Sequence, residues 1–136
     1  MKQEHQDLIE QARLARKKSY SPYSGFRVGA AIRSPAGVHS GCNIENASYS
    51  LTLCAEASAV AAMIMAGGRE ILEIAVIGDG NEPCPPCGAC RQRIREFAGP
   101  DAPVHMVGAD GGQLTMTLDE LLPQSFGPDR LGGERS

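Results

Sequence analysis

Leu8, Ile9, Ala12 and Ala15 recur at helical spacing among polar neighbours, which predicts an amphipathic helix over about residues 4–18. Basic residues in its last turn suit the helix dipole. Ser19 to Gly25 reads as a loop broken by Pro22 and Gly25. From Phe26 to Arg33 the spacing turns two-fold, with Val28, Ala30 and Ile32 on one face of a strand. Ser34-Pro35-Ala36-Gly37 is a turn, and Val38 to Asn43 a second strand that closes a hairpin. About residues 54–66 are apolar nearly all round, the pattern of a buried helix, ended by Gly67-Gly68. Ile71–Ile77 reads as a central strand covered on both faces. A loop over Gly78–Pro86 precedes a helix over Gly88–Ala98 with Ile94 and Phe97 inward. Val104 and Met106 mark a fourth strand, Asp110-Gly111-Gly112 a hairpin turn, Gln113–Thr117 a fifth strand, and Leu118–Leu122 a short helix. This order implies an α/β domain: a five-stranded mixed sheet with helices on both faces. The 136 residues fit one domain, 1–136, with about 128–136 as a loose tail.

Charge and composition narrow the partners. The formal net charge is −3, and no basic run exceeds Arg16-Lys17-Lys18. Such a surface is ill suited to neutralising phosphates, so the expected partner is a small, roughly neutral molecule rather than a nucleic-acid polymer. The longest apolar stretch, around Ala57–Ala66, is too short to cross a bilayer, and the polar N-terminus lacks the apolar core of a signal peptide. The expectation is a cytoplasmic protein without membrane contact. Five cysteines are an odd number for a disulfide framework, and in a reducing compartment clustered cysteines point to metal or catalysis.

The chemistry concentrates in two short segments, Cys54-Ala55-Glu56 and Pro86-Cys87-Gly88-Ala89-Cys90, each at the entry to a predicted helix. Helix N-termini favour the thiolate that a metal needs. Cys87 and Cys90 can chelate one ion from a single turn, and Cys54 adds a third sulfur. Three protein ligands leave tetrahedral zinc one open position, the arrangement of a catalytic rather than a structural site. Two residues span about 200° of an ideal helix. Glu56 can therefore share a site with Cys54 only if Cys54 stands at the very start of the helix. There Glu56 can move protons. A Cys or His, one residue, a Glu, and a later Pro-Cys-x-x-Cys form the pattern of zinc-dependent deaminases. Pro83-Cys84-Pro85-Pro86-Cys87 fits the second half equally well. The register Cys87/Cys90 is favoured because Gly88-Ala89 lets backbone approach an ion, whereas Pro85-Pro86 forces an extended chain.

Plainer readings apply elsewhere. Cys42 reads as a small core residue. On pattern alone, Asn43 and Glu45 are turn residues capping a strand end, and Phe26 is core. His5, His39 and His105 have no metal-like spacing and read as structural or exposed, His5 being solvated. Met63, Met65 and Met106 read as core filler. Arg91, Arg93 and Arg95 form a solvated helix face, with Arg91 the one to turn inward.

From about Leu8 to Leu131 the chain resembles the small homotetrameric zinc-dependent cytidine deaminases. The likeness rests on the metal segments and on Tyr20-Ser21-Pro22-Tyr23-Ser24, Phe26-Arg27-Val28-Gly29-Ala30-Ala31, Gly41-Cys42-Asn43-Ile44-Glu45-Asn46-Ala47-Ser48-Tyr49, Cys87-Gly88-Ala89-Cys90-Arg91-Gln92, and Leu121-Leu122-Pro123-Gln124-Ser125-Phe126-Gly127-Pro128. It implies a three-layer α/β/α fold, a Zn²⁺ cofactor, and hydrolytic deamination of cytidine and 2′-deoxycytidine to the uridines and ammonia, as in pyrimidine salvage. By the same resemblance Asn43 and Glu45 hold the ribose, Phe26 and Phe126 flank the base and sugar, Ala55 touches substrate, and Ala47 to Tyr49 reach a neighbouring subunit's site in a homotetramer. Members of the family usually read Cys-Ala-Glu-Arg, and here Ala57 replaces the arginine that offsets the thiolates' charge. Arg91 or another arginine of that helix is the candidate replacement. Two alternatives stay open: a deaminase of the same fold for a related aminopyrimidine or aminopurine, and a non-catalytic zinc-stabilised interaction protein.

Overall fold

A computed structural model describes residues 2–131, with side chains from residue 5 onward. The first helix, α1 (Lys2–Arg16), leads into the hairpin β1 (Val28–Ser34) and β2 (Gly37–Cys42). Then come α2 (Ala55–Met65), β3 (Glu73–Gly78), α3 (Gly88–Phe97), β4 (Pro103–Val107), β5 (Gln113–Thr117) and α4 (Leu118–Leu121). The strands lie in the order β2-β1-β3-β4-β5. Only β3 and β4 run parallel, joined through α3, and the other pairs are antiparallel.

Strand alternation sorts side chains between two apolar layers. Ala30, Ile32, Ile74, Val76, Val104 and Met106 face α2 and α3 with Ala59, Met63 and Ile94. Ala31, Ala75, Ile77 and Val107 face the other way, against Leu8, Ile9 and Ala12 of α1. The sheet is thus covered on both sides, and the expected three-layer architecture is present. Two close approaches hold the helices to it. A Cβ on Gly29 would sit 2.1 Å from the Ala12 carbonyl oxygen of α1, and one on Gly41 would sit 2.4 Å from the Ala59 nitrogen of α2.

Three expectations need correction. α2 is not buried all round: Ala55, Glu56, Ala59 and Met63 are buried, but Met65 is 87% exposed. Composition marks a helix as apolar without saying how many of its faces one chain can cover. The expected loose tail is ordered over Pro128–Leu131 as a short 3-10 turn, tied to α3 by Arg95, whose Nη2 meets Asp129 at 3.0 Å. The remainder of that tail, residues 132–136, lies outside the described residues. His5 is only partly solvated, its side chain 32% exposed. It packs edge-on against His105, because α1 lies across the strands and brings together residues a hundred positions apart.

Candidate active site

Two helix N-termini meet on the α2–α3 side of the sheet. Cys54 is the N-cap of α2 with an extended backbone (φ −73°, ψ 153°), so its side chain is not confined to the helix flank. Glu56 follows in the first turn. Cys87 is the N-cap of α3 (φ −68°, ψ 170°), and Cys90 lies one turn on, buried. The sulfurs of Cys54, Cys87 and Cys90 all lie within 4.8 Å of one another. Around a tetrahedral zinc, with Zn–S bonds of about 2.3 Å, sulfurs stand about 3.8 Å apart, which this spacing admits. Among the described residues, neither Cys42 nor Cys84 joins the cluster.

The electrostatics explain why such a set suits a cation. Glu56 is 5% exposed, and burial raises its carboxyl pKa against the opposing pull of its own backbone N–H and the charge of Arg93. Cys90 is raised by burial and by the negative charge of Glu56 and the two other thiols. Cys54 is raised as well, first by burial. For Cys87 burial acts upward, but the backbone N–H groups of Cys90 and Ala89 and the Cys90 side chain bring it below its ordinary value. The expected lowering at helix N-termini thus holds for one thiol of three, since desolvation outweighs the dipole at the others. Four groups able to carry negative charge share a small volume, and a divalent ion relieves that repulsion. Cys84 packs beside this cluster, its thiol pushed up to about 11 by burial and by the Glu56 charge.

The arginines of α3 divide: Arg93 is exposed, as expected of a solvated face, while Arg91 and Arg95 are half-buried. Arg91 turns inward, donating from Nε to the Pro86 carbonyl (2.9 Å) and from Nη1 to the Leu121 carbonyl (2.8 Å). Arg95 donates to Ser125 Oγ (2.8 Å). Arg93 donates from Nη1 to Cys90 Sγ at 3.7 Å and acts on Glu56 as well. Arg93 therefore brings a cation to the sulfurs from α3, where Ala57 of α2 brings none. Its spacing of three from Cys90 was the available signal, since residues i and i+3 are helix neighbours.

The remaining candidates differ in how firmly each is held. Phe26, 42% exposed, lies over Gly78, where an added Cβ would come within 3.1 Å of the ring and 2.9 Å of Cys84 Sγ. Asn43 is buried and already engaged. Its Oδ1 accepts from the Val28 N–H (2.9 Å) and the Ser19 hydroxyl, and its Nδ2 donates to the Phe26 carbonyl (2.9 Å), leaving one N–H to spend. Glu45 Oε1 accepts from the backbone N–H groups of Tyr23 (2.9 Å) and Ser24 (3.1 Å), while Oε2 accepts from the Ser24 hydroxyl. The Ser24 hydroxyl, ahead of these amides, keeps the Glu45 carboxyl below its usual range. Tyr23, Ser24, Glu45, Tyr49 and Thr52 line a cleft of about 340 Å³. Tyr49 is 75% exposed, and Ala47 is exposed beside it. Ala55 is buried at the start of α2. Phe126 is also exposed, and its carbonyl accepts from Gln92 Nε2 at 2.7 Å.

A three-layer α/β/α frame that brings three thiols and a buried carboxyl to one point has the donor set of a metal-dependent enzyme. Comparison with known proteins narrows it. Residues 2–106 match the family model described as the cytidine and deoxycytidylate deaminase zinc-binding region. The chain is 45% identical over 124 residues to a cytidine deaminase of Halalkalibacterium halodurans, covering 90% of this chain and 94% of that one. It is 42% identical over 118 residues to a cytidine deaminase of Mycobacterium tuberculosis, covering 86% and 85%. The crystal structure of a cytidine deaminase from Burkholderia pseudomallei superposes with a TM-score of 0.85 at 44% identity, over 90% of this chain and 98% of that one. The chain belongs to the cytidine and deoxycytidylate deaminase family, whose cofactor is zinc.

Proposed function

We propose that this chain catalyses the hydrolytic deamination of cytidine and 2′-deoxycytidine to uridine and deoxyuridine, releasing ammonia. The observation that carries the reading is the convergence of Cys54, Cys87 and Cys90 with the buried Glu56 at two helix N-termini. These three sulfurs would hold the zinc. When bound, zinc supplies the Lewis acidity that makes a water nucleophilic near neutral pH. Glu56 would carry one proton from the attacking water to the ring nitrogen, and a second, from the hydroxyl so added to the ring, to the departing amine. A carboxyl whose pKa burial has raised is matched to both tasks. Arg93 tempers the charge of the sulfurs through Cys90.

Around this centre, Phe26 and Phe126 offer ring faces for the base, and Ala55 lines the floor. Glu45 and the spare N–H of Asn43 offer an acceptor and a donor to the sugar hydroxyls. Glu45 is pre-oriented for this by the Ser24 hydroxyl and by the Tyr23 and Ser24 backbone N–H groups, which hold its pKa below the ordinary value. Exposed Ile44, Tyr49, Leu51, Leu53 and Met65 support assembly into a homotetramer in which Ala47 and Tyr49 reach a neighbour's site. No described helix is long and apolar enough to cross a membrane. A site built on free thiols suits a reducing compartment, so we place the enzyme in the cytoplasm, in pyrimidine salvage, as one domain spanning 1–136.

Ala57 favours keeping a second reading in the test, a related aminopyrimidine or aminopurine as substrate. The deciding experiment is a panel of amino-bearing nucleosides and bases, followed by ultraviolet absorbance and ammonia release with zinc measured on the same sample. Conversion of cytidine and deoxycytidine well ahead of the others supports the proposal. Zinc-loaded protein that converts neither overturns it, and ammonia from another member of the panel selects the second reading.

A further inference from the structure

On the opposite face of the sheet from the three thiols, and toward the other end of β3, a second set of ligating groups converges. Glu73 opens β3 and His105 lies in β4, both pointing into the layer that α1 covers. His5 reaches them from α1. His5 Nδ1 lies 2.7 Å from Glu73 Oε2 and 2.9 Å from His105 Nε2, and His105 Nε2 lies 2.6 Å from Glu73 Oε2. We propose that His5, Glu73 and His105 form a second metal site, for a divalent ion of the zinc class.

Three features argue for an ion over hydrogen bonds alone. First, each imidazole turns one nitrogen toward the same carboxylate oxygen, and those nitrogens are themselves in contact. If both carry protons, two donors face each other at 2.9 Å. If either lacks one, a lone pair faces a carboxylate. A cation at the centre makes all three lone pairs attractive. Second, the groups behind the ligands are those that orient metal ligands. His105 Nδ1 meets Thr115 Oγ1 at 2.9 Å, which allows Nδ1–H to donate and Nε2 to coordinate. Glu73 Oε1 is held by Arg33, from Nε at 2.8 Å and Nη2 at 2.7 Å, leaving Oε2 turned to the histidines. Third, the donor set of two imidazoles and one carboxylate is one that zinc takes with an open fourth position. His5 is 32% exposed, so that position opens to solvent. Zinc–nitrogen bonds of about 2.0–2.1 Å require ligand atoms about 3.3 Å apart, so the triangle must widen by roughly 0.5 Å. The half-exposed His5 ring, in the first turns of α1, can supply that movement.

Arg33 beside Glu73 makes this site weaker than one built of three thiolates, and the two are separable on that basis. Holoenzyme carrying one zinc per chain is titrated with Zn²⁺, reading bound metal by equilibrium dialysis and Tm by calorimetry. The expected result is a second zinc per chain, removed by mild chelation that leaves the first. Its binding should raise Tm by several degrees at a hundredfold excess over Kd. Co²⁺ in the second site should add weak ligand-field absorption without the intense sulfur-to-metal bands of a thiolate site. H5A and, separately, E73Q should lose the second equivalent and keep the first, with deamination by H5A unchanged. A stoichiometry fixed at one, or a second zinc that both variants retain, overturns the proposal.

Discussion

Replacing Gly41 with alanine tests whether the seat of α2 on the sheet sets the active centre. The new Cβ would lie 2.4 Å from the Ala59 nitrogen and 2.7 Å from the Ser58 carbonyl carbon. Backbone, not a flexible side-chain end, blocks it, so α2 must move outward or β2 must bend. Overpacking of this kind costs about 1–3 kcal/mol, and backbone contacts put Gly41 near the upper limit. At about 2.1 cal/mol/K per residue, 136 residues give an unfolding entropy near 0.29 kcal/mol/K, so a loss of about 3 kcal/mol lowers Tm by roughly 10 °C. The same displacement carries Cys54 and Glu56, which stand at the N-terminus of the shifted helix. A misplacement of about 1 Å costs on the order of a hundredfold in rate. Calorimetry and the deamination assay, run on one zinc-replete sample, read both effects. An unchanged Tm would refute the packing argument. A lowered Tm with full kcat at a temperature where the variant is folded would refute the link between the α2 seat and catalysis.

Removing the guanidinium in R93A should leave the zinc in place but lower kcat by about tenfold, the scale of one hydrogen bond to a charged group weakened by exposure. Adding the family's arginine with A57R in that background should restore part of the loss, and no loss in R93A would mean that the sulfurs need no such donor. C84S should keep one tightly held zinc per chain, because Cys84 stands outside the cluster, and loss of that zinc would move the ligand register to Cys84 and Cys87. Asp79 carries a pH signature. Burial raises its pKa, but hydrogen bonds from Arg27 and the charges of Arg27 and Arg16 bring it below its ordinary value of 3.8. A carboxylate with a lowered folded pKa stabilises fully above its unfolded value and loses that contribution as pH falls through the folded one. D79N should therefore melt below wild type at pH 7, with the gap closing as the pH falls below about 4. A gap independent of pH would show that the charge is not what Asp79 contributes.

What the sequence reveals follows the range of the interactions. Cys54 and Glu56 are two residues apart, and Cys87 and Cys90 three, so helix entry and spacing were enough to set them on one site. The strands were legible because two covered faces make Ile74 to Ile77 apolar without interruption. Arg91 was singled out to turn inward and does so, but to brace Pro86 and Leu121. The contact with sulfur falls to Arg93, since the phase of α3 relative to Cys90 decides it. The convergence of His5, Glu73 and His105 depends on α1 lying across two strands, and no local pattern encodes it. Met65 reads as core filler in the sequence and stands exposed in the fold, because an apolar side chain is equally suited to a core and to an interface, and the packed chain decides which surface stays uncovered.

The most direct test of the central claim pairs zinc content with turnover in E56Q. Glu56 is buried beside the three thiols, and glutamine keeps its shape while removing its proton chemistry. The account predicts one zinc per chain retained and deamination of cytidine reduced by about 10²–10⁴-fold, the usual contribution of a positioned acid–base group. Near-normal turnover with zinc bound would contradict it.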